Sequence, residues 1–108
     1  MATRLQPMVR LTADQTQEID HAVDISSASR VSVQVRKLTA GAAGGWLYLQ
    51  HAASLTEDAF EDVSPAFDLS VTGNETKVFV DLLQFVRWRA DLADATVATF
   101  LIDLVEHR

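Results

Sequence analysis

Cysteine is absent from the 108 residues, so no disulfide framework, thiolate nucleophile or cysteine-based zinc site can be built, and packing alone must hold the core. Positive charge is short as well. Nine Lys and Arg face fifteen Asp and Glu, a formal net charge of -6. That balance excludes sequence-independent binding to DNA or RNA, whose affinity comes mainly from cations neutralising phosphates. Glycine and proline number four and two, and three of the glycines fall within Thr-Ala-Gly-Ala-Ala-Gly-Gly at 39–45, which is expected to be an exposed flexible loop. That tract lacks the Lys and Ser or Thr of a phosphate-binding loop. No run approaches the roughly 18 apolar residues of a membrane-spanning helix, so no membrane partner is expected. MATRLQPMVR lacks the apolar block of a secretory signal, and the chain reads as one folded in the cytoplasm.

What the chain does have is hydrophobic alternation at period two. The 48% hydrophobic and 22% charged content is that of a folded protein, and the length suits one domain. Met1 to Pro7 shows no periodicity and reads as a flexible N-terminal arm, leaving 8–108 as a single β-sandwich domain. Val9, Leu11 and Ala13 alternate with Arg10 and Thr12 in a short strand. Ile19, His21, Val23 and Ile25 alternate with Glu18, Asp20, Ala22 and Asp24, predicting a strand over 18–25 before a turn at 26–29. Val31, Val33 and Val35 alternate with Ser32, Gln34 and Arg36 in another. In WLYLQHA, Leu47 and Leu49 alternate with Trp46, Tyr48 and Gln50, so one pair, aliphatic or aromatic, must point away from the core.

Further along, Phe67, Leu69 and Val71 alternate with polar residues, as do Val78, Val80 and Leu82 with Lys77, Phe79 and Asp81. Thr-Gly-Asn-Glu between them has the Gly-Asn pair of a tight hairpin. The densest apolar stretch runs from Phe85 to Val105 and reads as two strands folded back on each other through a turn at Ala93 to Ala95. Val86, Trp88, Ala90 and Leu92 share one side of the first strand, and Ala98, Phe100, Ile102 and Leu104 one side of the second. The pattern predicts an all-β antiparallel sandwich, jelly-roll-like, of about eight strands. Two segments also admit helix: SLTEDAFEDV, with Ser54 as cap and Glu57 three residues on, and DLLQFVRWRADLADA, where the Arg-Trp-Arg-Ala alternation favours strand.

Chemistry-bearing clusters are thin. Glu57, Asp58, Glu61 and Asp62 offer carboxylates to a hard cation such as calcium, but without ligand-loop spacing they read as solvated loop charges. His21, His51 and His107 are scattered, and His21, on the apolar side of its strand, reads as a core or rim residue. No metal, cofactor or catalytic group is expected, and the protein is read as no enzyme. Asn74-Glu75-Thr76 matches a glycosylation sequon but reads as a turn. The stronger candidates are contact residues: Trp46 and Tyr48 as outward aromatics, Arg87 and Arg89 pairing with Asp91, Asp103 or a neighbouring subunit, and Leu101 and Val105 as an apolar outer strip.

The order of segments, VDIS then RVSVQVRKL, a Gly-rich loop, LYLQHAASLTEDAFEDV, a hairpin and LQFVRWRADLADATVATFLIDLV, resembles small all-β structural proteins of tailed bacteriophages and prophages. Leu49, Gln50 and His51 match one strand pattern of that family, and Phe85, Val86, Arg87 and Arg89 another. The chain departs from it at Ala-Ala-Ser-Leu-Thr-Glu-Asp, where the family has a Ser-Asn-Asp-Gly turn, and at Phe60, where a Trp is common. The resemblance implies a virion component, such as a capsid decoration or head or tail accessory protein. Such a protein would act as a homo-oligomer docked on a capsid or tail protein, assembled in the bacterial cytoplasm. The rival expectation is a carbohydrate-binding jelly roll using exposed aromatics.

Overall fold

Val31, Val33 and Val35 are at most 1% exposed, as are Val86, Trp88, Ala90, Leu92, Ala98, Phe100, Ile102 and Leu104. Each alternating series thus turns to a shared interior. The computed structural model describes residues 2–25, 28, 30–39, 45–92 and 97–107. Its strands, in chain order, are β1 (Ala2–Leu11), β2 (Gln15–Thr16), β3 (Val23–Asp24), β4 (Arg30–Thr39), β5 (Trp46–Ala52), β6 (Glu61–Asp68), β7 (Gly73–Val80), β8 (Phe85–Asp91) and β9 (Ala98–His107). One sheet has the order β1-β9-β4-β7; the other has β2-β8-β5-β6, with β3 also on β8. Every pairing is antiparallel.

With β2 and β3 taken as two pieces of one edge strand, eight strands trace a jelly roll. The chain crosses between the sheets at every connection except β2 to β3 and β5 to β6. Trp88 of β8 meets Phe100 of β9 edge-on across the interior, ring centroids 5.5 Å apart, and its indole N–H donates to Gln6 Oε1 at 3.1 Å. Burying each such side chain contributes roughly 1.5–3 kcal/mol. One gap between the sheets, of about 10 Å³, is lined by Leu5, Leu47, Leu49, Phe67 and Trp88 among others. That is room for one water at most.

Several expectations are overturned. Residues 2–7 are not a loose arm but the first half of β1, with Leu5 only 3% exposed. Two register shifts against β9, between Arg4 and Gln6 and between Gln6 and Val9, break the alternation and hide the strand from a period-two reading. The strand expected over 18–25 is a 3-10 turn at Ile19–His21 followed by two-residue β3, and His21 is exposed rather than at the core.

The hairpin expected around Gly73 is instead a crossing. β6 pairs with β5 and β7 with β4, so the link from Leu69 to Thr72 carries the chain from one sheet to the other. The face of β7 is also reversed. Phe79 is buried, while Val78 and Val80 point outward, each 58% exposed. The strands containing Trp88 and Phe100 likewise pack face to face from opposite sheets rather than pairing edge to edge. The helical readings give way to a single 3-10 turn, Glu57–Ala59, with no side-chain cap. The turn at 93–95, most of the turn at 26–29 and most of the loop at 39–45 lie outside the described residues. Gly45 itself is buried, its carbonyl accepting from Leu69 N–H at 2.8 Å.

Candidate interaction surfaces

The outer side of the β2-β8-β5-β6 sheet is built by direct cross-strand pairs: Tyr48 opposite Arg89, Gln50 opposite Arg87, and Trp46 opposite Asp91. Leu47 and Leu49 take the core side, so the aromatics face out. Arg87 is nevertheless only 4% exposed. It donates to Gln50 Oε1 at 2.9 Å, Gln17 O at 3.3 Å and Glu57 Oε1 at 2.7 Å, and its guanidinium lies 4.2 Å from the Phe60 ring centre. Gln50 in turn donates to Asp62 Oδ1 at 2.9 Å.

Arg89 grips both oxygens of Asp62, at 3.0 and 2.8 Å, and covers the Tyr48 ring at 4.5 Å. The hydrogen bond from Arg89 holds the Asp62 carboxyl below the usual carboxylate value against the opposing effect of burial.

The two arginines therefore pair with Glu57 and Asp62, not with Asp103, which forms an ion pair with Arg4. Two of the four carboxylates weighed as a cation site are the counter-ions of the two arginines weighed as contact residues. They stand about 30 residues apart in sequence, which is why neither group revealed the other. Among the described residues no group of three or more His, Cys, Asp or Glu converges to hold a metal ion. Arg87, expected at an interface, is enclosed within the chain. Tyr48 has one face covered and is half-buried; Trp46, 47% exposed, is the open aromatic of the pair. The two do not form a clear double platform.

On the outer side of the other sheet, Arg4, Ser32, Gln34, Thr76, Asp103 and Val105 line a depression of about 530 Å³. Ser32 lies between Val78 and Val105 in register, and Gln34 between Thr76 and Asp103. Short polar side chains in the middle strand make the hollow. Val105 is half-buried there, and Leu101, though on the outward side of β9, is only 9% exposed.

The contacts missed by the sequence reading lie at β7. Lys37 extends the inward series of Val31, Val33 and Val35 by one step and is 7% exposed. Its Nζ donates to Asp68 O and to Glu75 Oε1, both at 2.8 Å, tying β4 to both ends of the crossing between β6 and β7. Lys77 Nζ lies 3.0 Å from Glu75 Oε2. Burial works to raise the Glu75 carboxyl, but the hydrogen bonds from Lys37 and Lys77 hold it below its usual value. The signal for Lys37 was present in the unbroken parity of β4; that for the outward Val78 and Val80 was not.

These features define a jelly-roll domain with a filled interior and a mixed outer surface. No family model matches the chain, and no curated protein matches it. Among solved structures it is similar to PBSX exported protein XepA, at 12% identity and a TM-score of 0.64, over 99% of this chain and 37% of that one. It is also similar to PirA, at 9% identity and a TM-score of 0.50, over 99% of this chain and 92% of that one. The chain thus spans a little over a third of XepA, and these likenesses show the fold.

Proposed function

We propose that this protein is a non-catalytic accessory component of a phage-related particle, working by surface contact with copies of itself and with a larger protein shell or tube. The observation that carries the reading is the pair Val78 and Val80, held outward at 58% exposure on an eight-residue strand at a sheet edge. Apolar side chains on an ordered outer edge gain free energy only when another surface covers them. The shared fold with XepA and the segment order resembling phage structural proteins support the same reading. Apolar contact supplies affinity, and charged neighbours such as the Arg4–Asp103 pair set register.

Fractionation of phage-related particles from the source bacterium tests it. An antibody against the protein is expected to label purified particles, and terminase, portal or capsid genes are expected beside its gene. Absence from particles together with unrelated neighbours overturns the proposal. The exposed Trp46 indole favours one second reading, sugar binding at a single aromatic. A glycan array with hits abolished by Trp46→Ala would select it.

A further inference from the structure

Among the described residues, three of the four sheet edges carry features that discourage another strand. β1 has Pro7 and two register shifts; β2 and β3 are two-residue pieces separated by a 3-10 turn; and β6 has Pro65 within a register shift against β5. Proline lacks the N–H a ladder needs, and bulges and short edges spoil the template. β7 has no proline, shift or interruption; the deterrent it carries is inward charge, Glu75 and Lys77, which blocks a neighbour unless opposite charges face each other. It runs eight residues from Gly73 to Val80, contains no proline, and pairs with β4 residue for residue without a shift. Among the described residues no strand pairs with its other side.

The side chains of β7 say what would fit there. In a chain of net charge -6, the strand carries one acid, Glu75, and one base, Lys77. Both lie on the inward side, with side chains about a quarter exposed (25% and 24%). Directly opposed residues of antiparallel strands share a face, so inward must meet inward, and only every second register is allowed. Of the two such registers that overlap most of a β7–β7 pair, one sets Lys77 against Lys77. The other, with its two-fold axis at Thr76, sets each Glu75 against the Lys77 of the other copy. Like charges directly opposed are destabilising and opposite charges stabilising, which selects the second.

We infer that a second copy of this chain adds antiparallel along β7, with Thr76 opposite Thr76, joining two four-stranded sheets into one of eight strands. The inference rests on the self-assembly part of the proposed function and names its surface. A self-complementary strand is what an isologous two-fold contact requires.

The absence of cysteine makes the test direct. Wild-type protein is expected to sediment with the mass of a dimer. The Thr76→Cys variant is expected to form a disulfide-linked dimer on mild oxidation, since its thiols meet on the axis. Val80→Cys is expected to stay uncross-linked, because its two copies are separated by eight positions, about 27 Å at roughly 3.4 Å per residue. Thr76→Lys, at an exposed position, is expected to keep the wild-type circular dichroism while weakening the dimer roughly tenfold or more through opposed like charges. A monomer at the highest soluble concentration overturns the inference, as does a dimer whose mass survives Thr76→Lys, or preferential cross-linking through Val80→Cys. A monomer found on particles overturns the pairing and leaves the proposed function standing; a Thr76-linked dimer absent from particles does the reverse.

Discussion

Arg87 shows how one residue can look like a contact group and act as a brace. It anchors two elements that do not neighbour each other in the ladder: the segment at Gln17 and the 3-10 turn at Glu57. Glu57 is 68% exposed, so that ion pair adds little by itself. The cost of removing Arg87 comes from leaving Gln50 Oε1 and the Gln17 carbonyl without a donor. Arg87→Ala is expected to lower stability by about 2–3 kcal/mol in urea unfolding, whereas Trp46→Ala should change it by less than about 1 kcal/mol. At Gly45, an added Cβ would meet Asp91 O at 3.1 Å and Leu92 Cα at 3.2 Å, both backbone atoms. Gly45→Ala is therefore expected to cost roughly 1–3 kcal/mol by forcing the strands apart.

The acid response also belongs to residues. Asp62 and Asp68 sit below their ordinary value of 3.8, Asp62 through Arg89 and Asp68 through the Ser70 hydroxyl and N–H; Glu75 sits below 4.5. A depressed pKa in the folded state means that acid protonates the unfolded chain first. The stabilisation is full above the ordinary values and disappears as pH falls through them toward the folded ones. The thermal midpoint should be steady from neutrality to about pH 5 and decline below about pH 4. A midpoint unchanged well into the acid range would refute this.

At the scale of elements, alternation told which side of a strand is buried far better than it told which strands are neighbours. Val31, Val33 and Val35, and Val86, Trp88, Ala90 and Leu92, were legible because each inward position is apolar and each series is unbroken. The face of β7 is not legible in its pattern because its largest inward group, Phe79, is a single aromatic between outward valines, and hydrophobicity alone favours the valines. The first half of β1 is hidden from a period-two pattern because Leu5 is the extra residue at a bulge. The candidate surface was legible only as residue types. Trp46 and the arginines could be named, but the partners of the arginines, Glu57, Asp62 and Gln50, come from elements distant in the chain. Lys37→Met keeps the aliphatic stem but leaves Glu75 with Lys77 and a long hydrogen bond, 3.4 Å, from Asp68 N–H. It is expected to cost about 2 kcal/mol by unpinning the crossing from β6 to β7, measurable as faster amide exchange over 68–76.

For the molecule as a whole, the jelly-roll path means that almost no strand finds its partner nearby in sequence. β1 waits for β9, β4 for β7 and β9, and β8 for β5, leaving β5 with β6 as the local pair. Loop closure must come before most of the stabilising contacts, so folding is expected on a scale of milliseconds to seconds. The two tryptophans report it separately: Trp88, 1% exposed, should give blue-shifted, quencher-protected emission in Trp46→Phe protein, while Trp46 in Trp88→Phe protein should be open to quencher. Both signals should change together on unfolding, since the two sheets share one core.

Ala2 stands directly opposite Val105 in the ladder between the first and last strands. Entry and exit of the fold consequently share a corner. The unit should tolerate being grafted into a loop of an unrelated host through two short bridges, or having its ends sewn together and reopened at an exposed bend such as the one near Leu55, with the two packed sheets left as they are.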